Sequence, residues 1–238
     1  MKKISFPILR KWFHLLTLFV FLTLILLWFL PDFRIQTVMI TGNKEVTEDE
    51  IFLLLKEPVG KPFLKMWTEP LKERLLLHPW IKQAEVCLRF PRTIDIKISE
   101  RETLVYMPYY GRFLAVAEDG TSLELTSELQ KNQLLFSGID LPFLAIGEKI
   151  PNQEFLEGLD QLVGQMDPSV RQMISEIRRD TEGFFYLNTA DDYRIRVDST
   201  ITKQQLIDMR AIVLFMREQG TRGMVLLQEG TPVFIPAP

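Results

Sequence analysis

The segment WIKQAEVCLRFPRTIDIKISE, residues 80–100, shows most directly how the first half of the chain is built. In its second part Ile94, Ile96 and Ile98 alternate with polar residues, which is typical of a strand with one buried face. Its first part alternates in the same way, with one predicted face made of Ala84, Val86, Leu88 and Phe90. We therefore predict two strands, joined by a tight turn at Pro91-Arg92.

The residues before this segment predict one strand and two helices. The β-branched run from Arg34 to Thr41 ends at Gly42-Asn43, which favours a strand that closes on a turn. Thr47 and Glu50 have the spacing of a capping box, so we expect a helix to begin there. A second helix is predicted from about Thr68 to Leu77, with Leu71 and Leu75 facing inward. The predicted order of elements over residues 33–102 is β-α-α-β-β.

Residues 12–30, WFHLLTLFVFLTLILLWFL, contain no charged residue, no Gly and no Pro. A helix of that length rises about 28 Å, close to the hydrocarbon thickness of a bilayer. The alternative is a cleaved secretory signal, but Pro31 to Arg34 offers no small-residue cleavage site. We predict a transmembrane helix over residues 12–30 and a cytoplasmic tail over residues 1–11.

The distribution of charge predicts the membrane topology and argues against nucleic acid as a partner. Lys2, Lys3, Arg10 and Lys11 precede the apolar run without an acid, which places the N-terminus in the cytoplasm and the bulk of the chain outside it. The whole chain has a net charge of −3, so the part after these four cations carries −7. Such a charge does not favour nucleic-acid binding, which needs clustered Lys and Arg. With Cys87 as the one cysteine, no intrachain disulfide can form.

The second half, residues 103–238, is predicted to be a β-rich domain of mixed α/β type with a mainly antiparallel sheet. Its clearest signals are a hairpin around Asp119-Gly120, a helix from Asn152 that stops at Pro168, and a helix with a capping box at Thr202 and Gln205. Further strands are predicted at Met173–Arg178, Phe184–Asn188, Tyr193–Val197, Gly223–Gln228 and Pro232–Ile235.

Residues that could carry catalytic chemistry are few. A metal site of His and Cys type needs three or four such ligands, and neither His14 nor His78 can join such a set. Cys87 lies on the polar face of its predicted strand with no nearby His, so we interpret it as a thiol without a catalytic role. Acidic clusters occur at Glu48-Asp49-Glu50, Glu118-Asp119 and Asp191-Asp192, where a helix start or a turn explains them. There is no phosphate-binding glycine loop and no nucleophile elbow. We predict a binding protein that is not an enzyme, without cofactor, metal or small-molecule substrate.

The predicted β-α-α-β-β unit resembles a POTRA domain, and more narrowly the single POTRA domain of the bacterial FtsQ/DivIB family. The resemblance rests on Ile35, Val38, Ile40-Thr41-Gly42-Asn43, Gly60, His78-Pro79-Trp80-Ile81, Ala84, Val86, Phe90-Pro91 and Glu100-Arg101. A cytoplasmic tail, one anchor, a POTRA domain and a further β-rich domain is that family's arrangement. Thr103 departs from it, since the family commonly has Pro there. The fold class expected is therefore α+β, with one N-terminal transmembrane helix.

The resemblance implies a scaffold of the division machinery. Its expected partners are FtsB- and FtsL-like membrane proteins, with other division proteins reached through the POTRA domain. Through them it would help control septal cell-wall synthesis, and the protein is expected at the septum of the cytoplasmic membrane. The alternative is a POTRA protein of outer-membrane assembly or secretion, a class that usually carries several POTRA units and a β-barrel. An extracytoplasmic enzyme is a third possibility, supported by the acidic clusters alone.

The end of the chain is where the resemblance suggests that a partner adds a strand to the sheet. An unpaired terminal edge offers backbone N–H and C=O groups to an extended segment, and side-chain pockets then select which one. The residues predicted to bind the partner are Val225, Leu227, Val233 and Phe234. Leu226 and Gln228 depart from the family pattern. The alternative is that this terminal apolar strand is covered by its own domain.

Overall fold

The computed structural model describes residues 6–29, 34–130, 133–151, 153–197, 201–221, 223–227 and 233–236, without the side chains of residues 6–10, 27–29, 64, 233 and 236. The chain divides into two compact units, Met1–Glu100 and Arg101–Pro238.

The first unit begins with helix α1, Phe6–Phe29. Its side chains are described from Lys11 to Leu26, and all of them are exposed. The hydroxyl of Thr17 donates back to the carbonyl oxygen of Phe13 at 2.7 Å, so that it is satisfied within the helix. Among the helices described together with their side chains, none combines the length and the hydropathy that a membrane span requires. The predicted span, residues 12–30, continues past Leu26 into side chains that lie outside the described residues.

The rest of the first unit is a three-stranded sheet with two helices. The strands are β1 (Thr37–Thr41), β2 (Ile81–Arg89) and β3 (Thr93–Glu100), and the helices are α2 (Glu48–Leu54) and α3 (Thr68–Leu76). The order across the sheet is β1-β3-β2, with β1 parallel to β3 and β2 antiparallel to it. A short 3-10 turn, Phe63–Lys65, leads into α3. This is the predicted order of elements, β-α-α-β-β, and the α+β assignment is confirmed.

The capping box predicted for α2 and the buried face predicted for β3 are both formed. The Thr47 side chain accepts from the backbone N–H of Glu50 while the Glu50 carboxylate accepts from that of Thr47, which completes the capping box. Ile94, Ile96 and Ile98 are buried in one core with the inward side chains of both helices. Phe90 differs from the prediction: β2 ends at Arg89, so Phe90 lies in the turn and is 66% exposed.

The loop between β1 and α2 is held by Glu100 at the end of β3. The Glu100 carboxylate accepts hydrogen bonds from the backbone N–H groups of Lys44, Glu45 and Val46 at 2.9–3.0 Å. Gly42, at the start of this loop, has φ +88°, and a Cβ there would clash with the carbonyl oxygen of Ile98. A glycine is required because both the backbone conformation and the close approach exclude a side chain.

The second unit has one long sheet and three helices. The strands are β4 (Thr103–Tyr109), β5 (Arg112–Ala117), β6 (Ser122–Thr126), β7 (Leu135–Ser137), β8 (Ile174–Arg179), β9 (Phe185–Thr189), β10 (Arg194–Val197), β11 (Gly223–Leu226) and β12 (Val233–Pro236). The helices are α4 (Glu154–Gln165), α5 (Pro168–Met173) and α6 (Lys203–Glu218). The order across the sheet is β12-β11-β10-β9-β8-β7-β4-β5-β6. Among the described strands, the pairs β10–β11, β7–β8 and β4–β7 are parallel and the other five are antiparallel.

The core of this unit lies between the helices and one face of the sheet. Helix α6 contributes Leu206, Met209, Val213 and Met216, four residues on one side of the helix. Its capping box at Thr202 and Gln205 is formed as predicted. The neighbouring strands β9 and β10 alternate between side chains that enter this core and side chains that do not. The inward side chains of β9, β10 and β11 share this core with those of α6.

Candidate protein-binding site at the sheet edge

Strand β12 is at one end of the sheet, next to β11. It pairs antiparallel with β11, so that Val225 lies opposite Phe234 and Met224 lies opposite Ile235. In the part of the chain that the structure describes, no strand pairs with the outer side of β12. Such an edge is able to accept an extended segment through backbone hydrogen bonds.

The absence of a side chain at Gly223 lets the ring of Phe234 pack closely against β11. A Cβ at Gly223 would clash with the carbonyl oxygen of Ile235 and would lie 2.6 Å from Cζ of Phe234. The aromatic ring therefore occupies the space that any larger residue at position 223 would need. Since the ring also packs against the buried core, Phe234 joins the edge strand to the body of the unit.

The predicted site residues fall into two groups. Val225 and Leu227 are buried in the core, at 0% and 6% exposure, and their side chains face away from the solvent. Phe234 is partly buried, and the side chain of Val233 lies outside the described residues. The structure thus brings Val225 and Phe234 together as a cross-strand pair, but on the face of the sheet that packs against the unit's own core.

The opposite, open face of this edge holds residues that the sequence prediction passed over. Met224 and Leu226 are half-buried there, and Ile235 is 47% exposed. The sequence carries a signal for them: in the run 224–227, period-2 alternation puts every second residue on the same face as Ile235. Because Val225 faces the core, Met224 and Leu226 face outward.

Basic side chains follow this apolar strip on the open face. Strand β10 pairs with β11 so that Arg194 lies beside Met224 and Arg196 beside Leu226. The guanidinium of Arg196 lies over the ring of Phe184, 3.7 Å from its centroid, which holds the side chain in place. The edge therefore offers a backbone ladder, an apolar strip and then positive charge, in that order.

The acidic clusters serve the fold at the positions that the sequence predicts. The backbone N–H of Thr47, and then its hydroxyl, hold the pKa of Glu50 below its usual value, which is the capping interaction of α2. Burial acts to raise the pKa of Asp119, but hydrogen bonds from Thr121 and Arg101 outweigh it and the pKa is lowered. Asp191 pairs with Arg217 at 2.5 Å.

The candidate metal and nucleophile residues are separated in the structure. Cys87 is an exposed thiol on β2, and His78 lies between α3 and β2, where its Nδ1 accepts from the backbone N–H of Trp80 at 3.4 Å. His14 lies in α1. Within the described residues, no three His, Cys, Asp or Glu side chains come close enough to hold a metal ion.

Comparisons with known proteins match both halves of the chain. Residues 33–101 match the POTRA domain, FtsQ-type. The chain is 27% identical to the cell division protein DivIB of Clostridium acetobutylicum over 135 residues, which are 56% of this chain and 54% of that protein. It is 24% identical to the cell division protein FtsQ of Myxococcus fulvus over 207 residues, which are 82% of this chain and 68% of that protein. The chain thus spans about half the length of the Clostridium protein.

Among solved structures, the chain is similar to the major extracytoplasmic domain of the trans isomer of the cell division protein DivIB from Geobacillus stearothermophilus. The TM-score is 0.35 at 17% sequence identity, over 50% of this chain and 97% of that chain.

Proposed function

Because this chain belongs to the FtsQ/DivIB family of bacterial cell division proteins, we propose that it is a non-enzymatic scaffold of the division machinery. Helix α1 anchors it in the cytoplasmic membrane, with the N-terminus in the cytoplasm and the chain that follows α1 outside. It binds FtsB- and FtsL-like membrane proteins at the septum and so helps to control septal cell-wall synthesis. The FtsQ type of its POTRA domain favours this role over outer-membrane assembly or secretion.

The observation that carries the proposal is the outer edge of β12, with which no strand of the described residues pairs. A partner segment adds there as a further strand, and its side chains contact Met224, Leu226 and Ile235 on the open face. Arg194 and Arg196 lie one strand further in, at the positions beside Met224 and Leu226. A segment that combines apolar residues with nearby acids complements this surface in shape and charge.

The anchor supports the same role from the sequence. Residues 12–30 are uncharged and long enough to cross the hydrocarbon layer, and the basic residues lie before them. An anchored protein meets FtsB- and FtsL-like partners in the same membrane, where the effective concentration of each for the other is high.

The test is partner capture by the full chain in membranes that contain the FtsB- and FtsL-like proteins of the same bacterium. Ile235→Asp places a charge on the open face of the edge strand. We expect it to weaken capture at least about tenfold, or about 1.4 kcal/mol. Leu125→Asp is the matched control, because Leu125 is a similarly exposed apolar residue, 39% against 47%, on the opposite edge strand β6.

Two outcomes would count against the proposal. If Ile235→Asp captures the partners as well as Leu125→Asp does, the β12 edge is not their binding site. If cells depleted of the protein divide normally, or are not rescued by its expression while the chain is stably present, the division role itself is wrong.

A further inference from the structure

One end of the first unit combines exposed aromatic residues with basic ones. Trp67 is 78% exposed, Phe90 is 66% exposed and Val59 is 52% exposed. Large exposed apolar side chains that lie close together mark a surface that contacts something other than water. Val59 and Trp67 belong to one short segment and Phe90 follows much later in the chain, and the structure shows why they share one end of the unit.

Backbone contacts gather them around the point where the chain enters the sheet. The N–H of Ile35 donates to the carbonyl oxygen of Lys61 at 3.0 Å, and that of Gln36 donates to the carbonyl oxygen of Arg92 at 2.9 Å. The ring of Phe63 packs edge-on against Phe90, with centroids 5.9 Å apart. The 3-10 turn that starts at Phe63 leads directly to Trp67. We call this surface, made of Arg34, Val59, Lys61, Lys65, Trp67 and Phe90, the entry end.

The charge of the entry end is opposite to that of the chain as a whole. Residues 56–67 contain Lys56, Lys61 and Lys65 with Glu57 as the single acid, and Arg34 and Arg92 add to them. Residues 12–238 together carry −7. The Arg34 guanidinium donates to the carbonyl oxygen of Gly60 at 2.8 Å, so this cation is fixed beside the loop that holds Val59. Trp with Lys and Arg is the composition found where proteins meet lipid headgroups.

The position in the chain identifies what covers this surface. Five peptide units separate Phe29 at the end of α1 from Arg34, so their Cα atoms lie within about 18 Å of each other. The headgroup layer on each side of the hydrocarbon is roughly 5–7 Å deep. The tether keeps this end of the unit nearer to the headgroups than the opposite end of β1, which lies about 13 Å further along the strand.

We propose that the entry end lies in the headgroup layer of the membrane and binds anionic lipid, which fixes the POTRA unit against the bilayer. Trp67, Phe90 and Val59 insert among the headgroups, and Lys61, Lys65 and Arg34 attract lipid phosphates. This inference rests on the proposed anchoring by α1, but it does not depend on partner binding at β12. The proposal gives a function to the exposed side chains of Trp67, Phe90 and Val59, which partner binding at β12 does not use.

The test uses the full chain, reconstituted in vesicles of phosphatidylglycerol or of phosphatidylcholine, with Cys87→Ser to remove the native thiol. A polarity-sensitive fluorophore is attached to Val59→Cys, to Lys44→Cys at the opposite end, or to Val20→Cys in α1. A nitroxide on the lipid headgroups quenches labels that lie among them. We expect strong quenching at position 59 in phosphatidylglycerol, weaker quenching in phosphatidylcholine, and little at position 44 in either.

Charge reversal at the entry end separates lipid binding from simple proximity. Each lysine near an anionic surface strengthens association about fivefold, so Lys61→Glu/Lys65→Glu is expected to abolish the difference between the two lipids at position 59. The matched control is Lys44→Glu/Lys97→Glu, which reverses two charges at the opposite end and should leave the quenching at 59 unchanged. Far-UV circular dichroism checks that each variant is folded.

The possible failures are distinguishable. If the Val20 label shows no apolar environment in vesicles, α1 is not inserted and the inference falls together with the anchor. If Val20 is inserted but positions 59 and 44 are quenched equally, or if both lipids quench position 59 equally, binding of anionic lipid is wrong while the anchor stands. Partner capture measured with Ile235→Asp and Leu125→Asp tests the scaffold role separately.

Discussion

The Glu100 carboxylate accepts a hydrogen bond from the backbone N–H of Val46 at 3.0 Å, which joins the end of strand β3 to the residue before the α2 cap. Two further N–H groups, those of Lys44 and Glu45, donate to the same carboxylate. One side chain thus satisfies a whole loop of backbone donors. Charge-assisted bonds of this kind are stronger than neutral ones, which gives Glu100 a structural role at the end of its unit.

We therefore predict that Glu100→Ala lowers the free energy of unfolding of the first unit by about 2 kcal/mol, because it leaves three N–H groups without their acceptor. Urea unfolding followed by the emission of Trp80, which is half-buried in the same unit, measures this. Glu102→Ala, at an exposed neighbouring position, is the control. A change within about 0.5 kcal/mol for Glu100→Ala would show that water replaces the carboxylate without loss.

Asp119 makes the stability of the second unit depend on pH in the acid range. The Asp119 carboxylate accepts from Arg101 Nε at 3.1 Å and from the backbone N–H of Thr121 at 3.2 Å, and its pKa is lowered although burial acts to raise it. A pKa that is lower in the folded than in the unfolded chain stabilises the fold above the unfolded value. That stabilisation is lost as the pH falls through the folded value.

We expect Asp119→Asn to reduce the free energy of unfolding by a constant amount from about pH 7 down to pH 5, and the difference from the unsubstituted protein to shrink below about pH 4. Unfolding measured at a series of pH values tests this. Asp140→Asn, at an exposed position in the same unit, is the control. A difference that grows in acid would mean that the sign of the pKa shift is wrong.

The orientation of the chain follows from Lys2, Lys3, Arg10 and Lys11, and a reporter tests it. An enzyme that is active only outside the cytoplasm, fused after Pro238, is expected to be active. The same enzyme fused directly after Lys11, before the apolar run, should be inactive. A stable but inactive fusion after Pro238 would reverse the proposed topology.

Helices with a complete start signal were predictable from the sequence, whereas short or fully buried elements were not. The boxes at Thr47 and Thr202 locate α2 and α6 because the side chain and the backbone satisfy each other within one turn. Pro168 was interpreted as a stop, but it also opens α5, with Asp167 as the capping residue. Strand β4 was missed because its residues 104–107 are all buried, which removes the alternation that identifies a strand.

The candidate site was predictable as a region but not residue by residue. The apolar run 224–227 shows that both faces of β11 are covered to some extent, but a period of two does not say which face meets the unit's own helices. That depends on how the unit packs in three dimensions, which buries Val225 in the core and leaves Met224 on the open face. The contact of Phe234 with Gly223 is a tertiary feature without a signal in the local sequence.

The last prediction concerns the close packing of the Phe234 ring against Gly223. Gly223→Ala puts a methyl group where the ring of Phe234 and the carbonyl oxygen of Ile235 lie. The ring is able to rotate, but the carbonyl oxygen belongs to the backbone, so β12 must move away from β11. We expect hydrogen exchange to quicken at Phe234 and Ile235, and capture of FtsB- and FtsL-like proteins to fall at least about tenfold.

The core under the edge should survive this change, because Val225 is fully buried in a core that the inward side chains of α6 and of the neighbouring strands share. Gly164→Ala is the matched control: nothing lies within 4 Å of a Cβ at Gly164 in α4, and the same substitution there should stabilise the unit by about 1 kcal/mol. Gly223→Ala/Phe234→Ala removes the ring but not the carbonyl clash, so it should not restore capture. Normal capture by Gly223→Ala, with exchange quickened at β12, would mean that an ordered edge strand is not what the partner binds.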